Sequence, residues 1–322
     1  QHISPRAGRA SSKRASVFAS EPRTQNGPLV ALGTFPFPKE ELLLPGEKKE
    51  LHLYEERFVK LLETTLASGG LAAQLGFTGM GDMIAHAPLV IIENWVRRDV
   101  GVNAILRCVG RLKLVDVHSA EPFITALYGP HRDILLTSDA QRDFLQRQRD
   151  ELFRLHSEVR AMRERLVQSC LQDGNDPDDS LADDMMDDTD AGNVTWGHEL
   201  LRPESGFARP LEELVGAAAK HVALARKRAG AEFEGTFAWG SGEDTELALS
   251  SMCAIACFPP ATRVLALSSS DGAERMDRAL DLMKEQRALL AAKLTLASTF
   301  SAQAPPDAPS PGGTPSTGGP AS

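Results

Sequence analysis

The chain has 322 residues, 42% hydrophobic and 25% charged, with a formal net charge of -9. That length suits about two domains of ordinary globular composition, and no apolar run approaches the ~20 residues a helix needs to cross a bilayer, so no membrane partner is expected. Residues 1–28 hold a net +4, which leaves -13 on the rest; a surplus of that sign argues against nucleic acid as the ligand.

Residues 1–28 are rich in Arg, Ser and Ala, with Glu21 their one acid. They read as an organelle transit peptide, with a disordered basic arm as the plain alternative. Leu29–Phe37 predicts a first strand, broken by Pro36 and Pro38 because proline cannot donate to a sheet ladder. Leu42-Leu43-Leu44 runs into a Pro45-Gly46 turn, Leu51–Tyr54 alternates as a half-buried strand does, and from Glu55 the period changes. Phe58, Leu61, Leu62 and Leu66 share one helix face. The stretch 42–66 is therefore predicted as strand, turn, strand and helix, with Glu55 and Glu56 favourably placed in the first turn.

Residues 71–77, 89–92, 101–117 and 122–128 are strand candidates bounded by Gly and Pro. Short strands at such intervals indicate a small barrel or sandwich with the 55–67 helix packed on it. From Ser138 to Cys170 nothing breaks a helical pattern. Leu145, Gln148, Leu152, Leu155, Val159, Met162 and Leu166 form an a/d seam, for a partner or for this chain's own later helices. Asp173–Asp190 contains nine aspartates and neither Lys nor Arg. It lacks calcium-loop spacing and reads as an acidic spacer or a contact for a basic partner.

Pro210–Ala229 is a helix stopped at Gly230, and Thr245–Phe258 is one stopped by Pro259-Pro260. Asp271 with Glu274 caps another. That last helix carries a seam of Met276, Leu280, Met283, Arg287, Leu290, Leu294 and Ala297, and is expected to pack antiparallel to the 138–170 helix. The class is α+β. The divisions are 29–137 for a β-barrel unit, 138–300 for a helical unit with a disordered acidic loop at 173–195, and 301–322 for a flexible tail.

Chemistry is hard to find. There is no phosphate loop, Gly240-Ser241-Gly242 lacks the nucleophile-elbow frame, and His198-Glu199 lacks the second histidine of a zinc-protease helix. Cys253 and Cys257 lie four apart on one helix face and read as small buried hydrophobes, since no second Cys/His pair completes a metal site. Arg97, Arg98, Arg107, Arg111 and Lys113 make the central strands locally basic, with Trp95 and Trp239 as possible stacking groups for RNA, a reading that the overall acidity weakens. Neither cofactor nor metal is expected.

The stretch Thr34-Phe35-Pro36-Phe37-Pro38, then Leu44-Pro45-Gly46, then Leu51-His52-Leu53-Tyr54-Glu55-Glu56-Arg57-Phe58 resembles the signature of the Lon protease N-terminal domain family. Its departures are Glu50 and Glu56 where the family has Pro, Tyr54 for Phe and Phe58 for Tyr. Gly110–Leu114 is similar to the family's glycine-to-arginine strand with altered spacing. The resemblance spans about 29 to 300, is specific in 34–62, and makes Pro45, Gly46, Glu55, Arg57 and Phe58 structural motif residues.

It implies a PUA-like pseudo-barrel with a packed helix, followed by a helical bundle, without the family's ATPase and serine-lysine modules. The expected function is therefore non-catalytic recognition of unfolded or tagged polypeptides, as an adaptor or quality-control factor beside a separate protease or chaperone. The resemblance is to stand-alone plastid proteins of plants and algae, with the mitochondrion as alternative address. Phe35, Phe37, Tyr54 and Trp95 are the expected lining of a polypeptide groove where barrel and first helices meet. Arg57 is expected as a buried ion-pair partner joining the β and α parts. The rival readings are an assembly subunit of a larger complex and a protease in its own right.

Overall fold

The computed structural model describes residues 28–134, 136–172, 206–229, 233 and 242–303. The expectations for the basic arm, the acidic stretch and the tail past Gln303 fall outside these residues, as do those for His198, Trp239 and Ser241; residues 301–303, expected in the tail, are helical. Six strands, β1 (Val30–Pro38), β2 (Lys48–Leu53), β3 (Leu71–Phe77), β4 (His86–Arg97), β5 (Val102–Ser119) and β6 (Thr125–Pro130), form one sheet in the order β2-β5-β4-β3-β1-β6. A further β5–β6 pairing closes it. Only β1 and β3 run parallel; the other pairs are antiparallel. Strand β5 makes closure possible because it is long: its 102–107 half pairs with β2 and its 112–119 half with β6.

Helix α1 (Glu56–Ala67) packs on this sheet, and among the described residues five more follow: α2 (Asp139–Gln172), α3 (Leu211–Arg228), α4 (Gly242–Ala256), α5 (Arg263–Ser268) and α6 (Gly272–Gln303). The fold is α+β, with a closed six-stranded sheet and a helical carboxy-terminal region. Period-two alternation sorts side chains into two cores. Leu89 and Ile91 of β4 point to the larger core, which continues through α2, α3, α4 and α6; Val90 and Ile92 point to the smaller one under α1. Buried on both faces, the Ala87–Ile92 part of β4 reads as an unbroken apolar run.

Several expectations are corrected. Strand β1 is not broken at Pro36 or Pro38, since its pairing with β3 runs from Thr34 to Pro38. The Thr34 N–H donates to the Ile124 carbonyl, on the far side from β3, at 2.9 Å. By alternation Phe35 and Phe37 turn their N–H groups to β3, and the two prolines lie where no ladder donor is needed. Leu42-Leu43-Leu44 is not a strand. It is an extended, unpaired segment whose Leu42 and Leu44 enter the larger core and whose Leu43 enters the smaller. Its polar backbone is met in part by a side chain, since the Leu43 N–H donates to buried Gln74 Oε1 at 3.0 Å.

Helices α2 and α6 pack parallel, not antiparallel. Gln148 bonds Asp277 and, further along both helices, Glu158 pairs with Arg287 at 3.1 Å. The chain between them supplies α3, α4 and α5, so it can return to the same end before α6 begins. The α2 seam packs within this chain, with Leu145, Leu152, Leu155 and Val159 buried in the larger core. The Asp271 cap holds: its Oδ1 accepts from the Ala273 and Glu274 N–H groups at 2.8 and 3.3 Å. Glu274 turns instead to the Ser269 hydroxyl, at 2.9 Å.

Pro45-Gly46 forms the hinge of the whole arrangement. Gly46 has φ +97°, and a Cβ there would stand 2.9 Å from Ala218 Cβ on α3. Its N–H donates to the Cys108 carbonyl at 2.9 Å and its carbonyl accepts from Arg107 Nη1 at 3.0 Å. A Gly46→Ala substitution adds left-handed strain and crowding together, so urea titration is expected to show a loss of about 2–4 kcal/mol. An unchanged midpoint would contradict the close approach.

Candidate functional site

Where the β and helical parts meet, charge is buried in an organised way. Arg111 on β5 bonds the carbonyls of Ala266 and Leu267 at 3.1 and 3.2 Å, the Ser269 carbonyl, and Asp133. Arg275 on α6 bonds the same Asp133 at 2.8 Å and the Ser269 carbonyl at 2.9 Å. Two guanidinium groups thus share one carboxylate, and the acceptors at the end of α5 take up much of the remaining cationic charge. Burial, then Arg275, pulls the Arg111 guanidinium down to about 10, while Asp133 opposes the shift.

His131 lies beside them and donates from Nε2 to the Ser268 carbonyl at 3.1 Å, which fixes the neutral tautomer. Its ring is 4.4 Å from that of His86. Burial, Arg111 and His86 together press its pKa from 6.5 down to about 3. A second pair anchors the hinge: Arg263 on α5 bonds Glu47 and the Leu42 carbonyl, and Glu47 accepts from the Leu44 N–H at 2.7 Å.

These are the residues that sequence reasoning missed. Arg57, expected in this role, is 58% exposed; it pairs with its neighbour Glu55 at 2.7 Å and lies over the Phe58 ring. Arg111 was counted in a basic patch that the fold disperses. It is buried, while Arg107 pairs with Glu93 at 2.8 Å and Arg97 with Glu63 at 3.1 Å. Glu55 is the residue before α1, and its carbonyl accepts from the Phe58 and Val59 N–H groups. Pro45 accepts from Cys253 Sγ at 3.7 Å.

The expected groove residues separate. Phe35 is buried in the smaller core and cannot line a surface; alternation along β1 sends it inward. Phe37 is half-buried, with Lys49 Nζ 5.2 Å from its ring centre. Tyr54 and Trp95 are 66% and 48% exposed. They lie at the same end of the sheet: Gly101, at the β4–β5 turn, lies against Leu53 and Tyr54, while Trp95 stands opposite Ala104, itself opposite Leu51, on the face that carries the smaller core. Val96 and Val100 extend the same exposed apolar hairpin.

A second apolar surface was not foreseen as a unit. Pro36, Phe37, Pro38, Phe77, Thr78, Gly79 and Glu40 line an open groove at the ends of β1 and β3. Beside it Met80 is 91% exposed and Met83 is also exposed. The signal was present in the Phe-Pro repeat and in Met80 and Met83, but nothing local says that residues 36 and 77 meet.

Nucleophilic chemistry finds little support. Cys257 Sγ lies 4.0 Å from His156 Nε2, yet burial raises that thiol well above its ordinary value. Burial likewise pushes Cys253 up to about 12 and Cys108 higher, so these thiols stay protonated at neutral pH. Among the described residues no three metal-ligating side chains gather, and no helix is long and apolar enough to cross a membrane.

No protein-family model and no curated protein matches the chain. Among solved structures it is similar to a Lon N-terminal domain protein from Xanthomonas campestris, with 19% identity over 37% of this chain and 72% of that one, at a TM-score of 0.28. It is also similar to the N-terminal domain of Mycobacterium avium complex Lon protease, with 12% identity over 79% of this chain and 98% of that one, at a TM-score of 0.33.

Two predictions follow from the buried charges. Asp133→Asn leaves two guanidinium groups without their carboxylate and is expected to cost about 3–5 kcal/mol in urea titration; a loss below ~1 kcal/mol would contradict the shared role. Because the His131 pKa is depressed on folding, its contribution to stability is complete above about pH 6.5 and falls as pH drops towards 3. Between pH 7.5 and 5 the loss from this group is about 2 kcal/mol, and His131→Gln is expected to remove that part of the pH slope. Equal slopes in both proteins would contradict it.

Proposed function

We propose that this chain binds unfolded polypeptides without cleaving them, through apolar side chains held in water on the closed sheet. The carrying observation is that Tyr54, Trp95, Val96 and Val100 are all exposed at one end of the sheet, on the β4–β5 hairpin and just past β2. Large apolar groups gathered on one exposed element are unusual on a surface with no ligand, and strand-borne aromatics serve as anchors for an extended chain. Among the described residues the buried charges of Arg111, Arg275 and Asp133 have structural partners.

The resemblance of residues 34–62 to Lon N-terminal domains favours the same reading. In it the protein acts as a recognition factor in organellar proteostasis, delivering clients to a separate protease or chaperone, with the basic segment 1–28 as a plastid address. An assembly-subunit role would instead bury the hairpin permanently, and native-gel migration of the endogenous protein as one stable large species would favour it.

The test is anisotropy of labelled α-lactalbumin, reduced and unfolded or native, titrated with the full chain. Tighter binding of the unfolded form is expected, and Tyr54→Ala with Trp95→Ala should weaken it about tenfold or more. Equal or absent binding of the two forms would overturn the proposal.

A further inference from the structure

The groove at the ends of β1 and β3 has a chemical bias that the hairpin lacks. Its walls are Pro36, Phe37 and Pro38 on one side and Phe77, Thr78 and Gly79 on the other, with Glu40 as the one charged residue lining it. The strand phase set by the Thr34 bond turns Pro36 and Pro38 away from β3. At these two positions the edge offers no N–H.

Glu40 adds a carboxylate. It is only loosely engaged by Lys39, at 3.8 Å, and both side chains are about half exposed. One face of Phe37 already carries a cation, Lys49, whose charge Glu41 neutralises. The same ring chemistry beside Glu40 suits a second cation, since a Lys or Arg stem packs on aromatic faces while its head reaches acceptors. Asp82 in the adjoining turn adds further negative charge, and exposed Met80 and Met83 give an adaptable apolar border. Gly79 has no atom within 4 Å of where a Cβ would be, so the groove floor is open there.

We infer that this groove takes an apolar segment of polypeptide bearing Lys or Arg and discriminates against one bearing Asp or Glu. The inference rests on the polypeptide-binding reading and gives it a client class: positively charged unfolded segments, complementary to Glu40 in the groove and Asp82 beside it.

The experiment compares three labelled peptides of equal length and shared apolar residues, with Arg, Gln or Glu at the centre, titrated with the full chain. The Arg peptide is expected to bind about tenfold tighter than the Glu peptide, with Gln between. Glu40→Lys, at an exposed position, should invert that order. Gly79→Arg, which fills open space with a cation, should weaken the Arg peptide with the circular dichroism unchanged. A charge-blind series, or an order that Glu40→Lys does not alter, overturns the inference while binding of unfolded α-lactalbumin leaves the wider reading standing. Failure of all three peptides together with α-lactalbumin overturns both.

Discussion

The Asp133 carboxylate, shared by two buried guanidinium groups, is the contact on which the arrangement of this molecule depends. Arg111 brings β5 to it and Arg275 brings the first turn of α6. The carbonyls at the end of α5 complete the set of acceptors. A buried ion pair is weak grounds for stability in itself, because desolvation offsets much of the attraction. Its effect here is positional. Each cation has few alternative acceptors once buried, so the helices can meet the sheet in one register, with α2 and α6 starting from the same end.

That fixed joint connects with the exposed surface at the other side of the sheet. The hinge at Pro45-Gly46 is gripped by Cys108, Arg107 and α3, and β2 leaves it directly to carry Tyr54 at its far end. Arg263 and Glu47 hold the entry to that strand. The apolar hairpin is thus presented on strands paired from Asn94–Arg97 to Val102–Ile105, which lowers the conformational cost of binding through it. The groove of Phe37 and Phe77 shares the support, since both strands that line it enclose the smaller core.

Local rules carried far in this chain where the signal was itself local. Residues 71–77 form the strand expected between their flanking glycines, and the helix beginning after Asp271 is capped by that side chain. Tyr54 and Trp95 could be singled out because aromatic residues at strand ends are visible in one line of text. What was not legible depended on which distant groups meet. Apart from the resemblance of Gly110–Leu114 to a family strand, hydropathy around Arg111 matches that around Arg107, two turns of the pleat away, yet one is buried and the other pairs with Glu93. Phe35 and Phe37 look equivalent in the Phe-Pro repeat until their different surroundings are known. The parallel course of α2 and α6 follows from where the intervening helices return the chain, and seam spacing carries no direction.

The central claim is that the sheet's exposed apolar residues receive the ligand while the helices support them. Hydrogen–deuterium exchange of the full chain, with and without saturating unfolded α-lactalbumin, tests this most directly. The account predicts added protection at residues 36–40, 77–83 and 94–104, with α2 and α6 unchanged. Protection confined to α2 and α6, or none in the sheet, would contradict it.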